Sequence, residues 1–88
     1  MTIDINSDGI SLTEALRDYV KAKLSKLEKY GCDRVKCLMK VEGDTNIVEV
    51  STKNTFAKIK SRDMYDAVDK AERVAINNVT AKKPKYRS

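Results

Sequence analysis

"RVKCLMKVE", residues 34–42, alternates side-chain character almost without a break. Val35, Cys37, Met39 and Val41 share one face of an extended chain, and Lys36, Leu38 and Lys40 share the other. Such a strand packs one face on a core and turns the other to water. "GDTN", 43–46, is turn chemistry, so Ile47 to Lys53 should return antiparallel with Val48 and Val50 inward. "KNT" turns the chain again. Phe56 to Arg62 then places Ala57 and Ile59 inward and Lys58, Lys60 and Arg62 outward. Three strands form a meander, and one of its faces needs cover.

Upstream, residues 2–6 alternate through Ile3 and Ile5, which predicts a short strand, and Asn6 to Gly9 form a turn. Ser11 and Glu14 match the S-x-x-E capping box, predicting a helix from near Leu12. Its apolar stripe is Leu16, Val20, Leu24 and Leu27, and Gly31 is its natural stop. Downstream, Asp63 can cap a second helix with the stripe Met64, Val68, Ala71, Ala75 and Val79; Pro84 ends it by Lys83. The expectation is an α+β fold in the order β-α-β-β-β-α. It has a four-stranded mixed sheet with both helices on one face, and strand one parallel to a neighbour. Residues 1–81 read as a single domain and 82–88 as a basic, flexible tail.

The totals narrow the function. A hydrophobic share of 41% and a charged share of 35% suit a soluble globular chain. No apolar run approaches the roughly 18 residues that span a bilayer, and "MTIDINSD" has no signal-peptide pattern, so the expected address is cytoplasmic. There is no histidine, no Gly-rich phosphate loop and no nucleophile–base spacing, which argues against an enzyme. Cys32 and Cys37 cannot complete a four-ligand zinc site alone, so they read as a loop cysteine and a small core residue. No metal or cofactor is expected. Asp63, Asp66 and Asp69 offset the positive end of the second helix.

The net charge of +5 is unevenly spread. The last ten residues carry Lys82, Lys83, Lys85 and Arg87 with no acid. "YVKAKLSKLEKY", 19–30, is a second local excess, with only Glu28 against four lysines. At 100° per residue Tyr19, Lys23, Lys26 and Tyr30 fall on one edge of the first helix, beside its apolar stripe. Two readings stay open for this edge. Its lysines could meet phosphates and its tyrosines stack on bases. Equally, they could favour the helix dipole and cover the rim of the core. The open sheet face, with Lys36, Lys40, Lys58, Lys60 and Arg62 outward and Leu38, Ile47 and Phe56 among them, is a rival site for single-stranded RNA or an ordinary solvated face. An acidic protein is the alternative partner.

"SLTEALRDYVKAKLSKLEKY", 11–30, and "RDMYDAVDKAERV", 62–74, resemble the family of ribosome hibernation-promoting factors and ribosome-associated inhibitors. The element order and the spacing between these stretches agree with that family. The resemblance implies a short-form, non-enzymatic bacterial-type protein, a monomer when free, made when growth slows. Its partner would be the small ribosomal subunit, not DNA or a membrane. It would occupy the channel of messenger and transfer RNA and block translation. Arg17, Lys23 and Lys26 would face ribosomal RNA, and Lys82, Lys83 and Lys85 would extend that surface. The sequence departs from the family pattern at Asn77 and Asn78, where basic residues are usual.

Overall fold

A computed structural model describes residues 1–81. The elements are β1 (Thr2–Asp8), α1 (Glu14–Leu24), a 3-10 helix (Ser25–Tyr30), β2 (Arg34–Glu42), β3 (Thr45–Ser51), β4 (Phe56–Ser61) and α2 (Met64–Ala81). They form one four-stranded sheet in the order β1-β2-β3-β4. β1 runs parallel to β2; β2–β3 and β3–β4 are antiparallel. This is the expected β-α-β-β-β-α fold with a mixed sheet. The expected tail, 82–88, lies outside the described residues.

Alternation dictates the layers. The register sets Ile5, Cys37, Val50 and Ala57 in one row across the sheet, and Ser7, Met39, Val48 and Ile59 in the next. Of these, Ile5, Cys37, Val50, Met39, Val48 and Ile59 form one core with Leu16, Val20, Leu24 and Leu27 from the first helical segment and Ala67, Val68, Ala71 and Ala75 from α2. The alanines at 67, 71 and 75 have no bulk beyond Cβ, which lets α2 lie close on β3 and β4. Two polar ties fix the ends of β4. Asn78 Nδ2 donates to the Phe56 carbonyl at 3.4 Å, and Asn46 Nδ2 donates to the Arg62 carbonyl at 2.8 Å.

β1 runs on to Asp8 where the sequence predicts a turn from Asn6, because its pairing with β2 continues as far as Lys40. Three further expectations need correction. First, the cap of α1 is Thr13, not Ser11: its Oγ1 accepts from the Leu16 N–H at 3.1 Å, and Glu14 is already helical. Any small oxygen-bearing side chain can cap, and Ser11, Thr13 and Glu14 are too close together for the motif to choose. Second, the α-helix does not run to Tyr30; it tightens to 3-10 after Leu24 and ends at Gly31, whose φ is +85°. In a 3-10 helix residues i and i+3 are eclipsed. Leu24 and Leu27 therefore stay fully buried, and Tyr30 follows them against the core. Third, Ile47 points to the open sheet face yet is only 2% exposed, and it is not part of the core between sheet and helices. Lys40 and Lys60 flank it in register, and lysine stems cover apolar surface well.

The cysteines sit as expected, Cys32 partly buried and Cys37 buried, both as free thiols. Burial pushes the Cys37 thiol up to about 12. Burial also raises Cys32, with the Asp33 carboxylate as a smaller cause. A thiol reagent at pH 8 is expected to count only Cys32 in the native protein, slowly, and both cysteines in urea. Fast labelling of two native thiols would contradict the packing around Cys37.

Candidate nucleic-acid interface

The facing edges of α1 and α2 hold most of the chemistry that the sequence singled out. Tyr19 from α1 meets Tyr65 from α2 edge to face, with ring centroids 4.9 Å apart and planes at 75°. Lys23 Nζ lies 5.5 Å from the Tyr19 ring centre and donates to Asp69 Oδ1 of α2 at 2.6 Å. One turn on, Lys26 Nζ lies 3.5 Å from Glu72 Oε2. On α2 itself, Lys70 pairs with Asp66 at 3.1 Å and Arg73 with Asp69 at 3.7 Å. The groove thus sets Lys23, Lys26, Lys70 and Arg73 against Asp66, Asp69 and Glu72, and is far closer to neutral than "YVKAKLSKLEKY" suggests.

These pairs are not equivalent. The hydrogen bond from Lys23 holds the Asp69 carboxyl below its ordinary 3.8, and the same bond raises Lys23 above 10.5. Asp66 is lowered chiefly by Lys70, then by the Ser61 hydroxyl, which donates at 2.9 Å. Glu72 differs. Only 8% of it is exposed, and its Oε2 makes no hydrogen bond; the Lys26 contact is ionic only. The Lys26 side chain is 55% exposed against 26% for Lys23. Lys26 is therefore the more exposed of the two, but its departure would leave the Glu72 carboxylate buried without a counter-ion, whereas Lys23 is held by a short hydrogen bond.

Depressed carboxyl pKa values have a definite sign. Asp66 and Asp69 lose protons more readily folded than unfolded, so their pairing stabilises the fold above the ordinary carboxylate value. That share is lost as pH falls through their lower folded values. Both groups reach solvent, so the effect is small. Thermal melts between pH 5 and 2 should fall less steeply for Asp69→Asn than for the parent chain; equal slopes would deny the Lys23–Asp69 contribution.

Of the residues singled out in the sequence, Tyr19, Lys23 and Lys26 come together at the groove. Arg17 is exposed and has no carboxylate partner among the described residues. Tyr30 leaves this ridge for the far end of the sheet, because of the 3-10 turn, and lines a cavity there. Lys82, Lys83, Lys85 and Arg87 lie outside the described residues. Sequence reasoning missed the acids Asp69 and Glu72 as neutralising partners. The signal was present: with Asp66 they recur at i, i+3 and i+6 on the helix destined to pack beside α1. Among the described residues no group of three or more His, Cys, Asp or Glu could hold a metal ion, and no helix is long and apolar enough to cross a membrane.

Comparison with known proteins adds to this geometry. A family model described as "Sigma 54 modulation protein / S30EA ribosomal protein" matches residues 3–87. The ribosome hibernation promoting factor of Escherichia coli (strain K12) is 35% identical over 75 residues, covering 78% of this chain and 79% of that protein. The protein of the same name from Azotobacter vinelandii is 37% identical over 76 residues, covering 78% of this chain and 70% of its own. Among solved structures, the N-terminal domain of Thermus thermophilus Protein Y superposes with a TM-score of 0.78 at 25% identity, covering 94% of this chain and 100% of that one. A ribosomal subunit interface protein from Coxiella burnetii has the same fold, with a TM-score of 0.85 at 22% identity, covering 97% of this chain and 100% of its own.

Proposed function

Because the chain belongs to the sigma 54 modulation protein / S30EA ribosomal protein family, we propose that it is a ribosome hibernation factor that silences translation by occupying the small subunit. It binds ribosomal RNA in the channel of messenger and transfer RNA and acts by steric exclusion, without catalysis. It works in the cytoplasm and is a monomer when free. The observation that carries this reading is the family match across residues 3–87, nearly the whole chain.

The interface is the outer surface of α1 and its 3-10 extension. Arg17, Lys21 and Lys29 are exposed cations without carboxylate partners among the described residues, and Lys26 is loosely held. They neutralise phosphates. Lys23 contributes only by giving up Asp69, and Tyr19 supports it from below. Lys82, Lys83, Lys85 and Arg87 extend the basic surface beyond α2. Co-sedimentation with purified small subunits tests the proposal: the chain is expected to pellet with them and to be released by ribonuclease. Pelleting that survives ribonuclease, or capture by an acidic protein instead, would overturn it.

A further inference from the structure

Among the described residues, the largest group of cations without an ion pair is on neither helix. Of the fourteen lysines and arginines among the described residues, five make ion pairs: Lys23, Lys26, Lys40, Lys70 and Arg73. Of the other nine, five belong to the sheet and its β3–β4 turn, Arg34, Lys36, Lys53, Lys58 and Lys60, and Arg62 directly follows β4. We infer that the open face of β4, with the cavity at its start, is a binding path for a single RNA strand.

The register lays the path out. On the open face, Lys36, Ser51 and Phe56 form one row, Leu38, Glu49 and Lys58 the next, and Lys40, Ile47 and Lys60 the third. Phe56 stands 57% exposed at the start of β4, its ring available for stacking. Lys58, Lys60 and Arg62 follow at alternate positions, about 6.5–7 Å apart along the strand. That step is close to the spacing of phosphates in a stretched single strand. Ile47 supplies a buried apolar floor between Lys40 and Lys60.

Beside Phe56, where β2 begins and β3 ends, lies a cavity of about 600 Å³. Arg34, Lys36 and Lys53 line it, together with Tyr30, Thr55 and one acid, Asp33. Its size suits one unstacked nucleotide. Thr55 precedes Phe56 directly, and Lys36 shares the Phe56 row, so cavity and β4 are continuous.

The charge pattern fixes where the strand runs. Asp4, Asn6 and Asp8 occupy the same face on the opposite edge strand, β1. Glu49, in the middle of the face, is already paired with Lys40 at 3.2 Å. A polyanion is therefore repelled from the β1 side and drawn to the β4 side. Lysines on an edge strand also discourage edge-to-edge pairing. That role accounts for neither the exposed Phe56 nor Arg34 and Lys36 on interior β2.

The test uses the full chain, no ribosomes, and a fluorescent eight-nucleotide oligouridine read by anisotropy at low salt. The outcome is thereby independent of the ribosome reading. The strand is expected to bind, with a blunt RNA duplex competing poorly. Phe56→Ala should weaken it at least about fivefold, the loss of one stacked base. Lys58→Gln with Lys60→Gln should weaken it further and flatten the salt slope by about 1.4, two single-strand contacts. Arg17→Gln with Lys26→Gln should weaken it less than Lys58→Gln with Lys60→Gln. Phe56→Leu, which keeps apolar bulk and loses the ring's stacking face, should behave like Phe56→Ala. No binding of the strand, equal competition by the duplex, or an equal loss from the α1 variant would each overturn the inference.

Discussion

Leu24→Ala should cost the fold about 2–5 kcal/mol, the range for truncating a buried leucine. The side chain is fully buried, at the point where α1 tightens into the 3-10 helix. Its neighbours there include Val20 and Leu27, both also without exposed surface. A cavity at this junction cannot close easily, because the helix is pinned on one side by Gly31 in its left-handed conformation and on the other by the α2 pairs. A domain of 88 residues has only about 4–13 kcal/mol to lose. Urea unfolding should therefore show a midpoint lowered by at least about 15%, with little change in m. Ala22, exposed on the same helix, is the control, and its replacement by Ser should shift the midpoint little. A loss below about 1 kcal/mol for Leu24→Ala would show that this junction is not packed as described.

Affinity for the small subunit should fall about 50- to 150-fold between 50 and 200 mM salt if Arg17, Lys21, Lys26 and Lys29 each neutralise one phosphate. The figure follows from four contacts and a slope of about −0.7 to −0.9 per contact. Lys82, Lys83, Lys85 and Arg87 would add four more. A chain ended at Ala81 should then show roughly half the salt slope of the full chain and bind more weakly at every salt concentration. Filter binding or sedimentation across a salt series reads both quantities. An unchanged slope after removal of the tail would take those four residues out of the interface.

The fold was legible because each strand alternates cleanly and each helix carries one apolar stripe. Val35, Cys37, Met39, Val48 and Val50 declared their face by period alone, and all are buried. Boundaries were less legible where two local signals compete. Ser11 and Thr13 are both capable caps, and only the packing of Leu16 selects between them. The site was half legible. Periodicity placed Tyr19, Lys23 and Lys26 beside the second helix correctly, but it assumed 3.6 residues per turn through Tyr30. The 3-10 turn breaks that assumption, and no residue between Ser25 and Tyr30 announces it. Pairing across α1 and α2 was not legible from either helix alone. Lys23 looks free until Asp69 is set 2.6 Å away by tertiary packing. Ile47 shows the same limit: its parity puts it outward, and only the neighbouring lysines bury it.

Glu72 is where structure and proposed function meet. A buried carboxylate oxygen without a hydrogen bond is costly, and the ion that offsets it is the one poised to leave for a phosphate. Moving Lys26 to a phosphate leaves that carboxylate without its counter-ion, a cost that phosphate binding has to exceed.

The most direct test is co-sedimentation with purified small subunits at fixed low salt, comparing Arg17→Gln/Lys26→Gln with Lys58→Gln/Lys60→Gln and the parent chain. Loss of two charge-assisted contacts predicts at least about tenfold weaker binding for the α1 pair, with the β4 pair close to the parent. Full binding by the α1 pair, in a protein whose thermal melt matches the parent, would contradict the helix-face account.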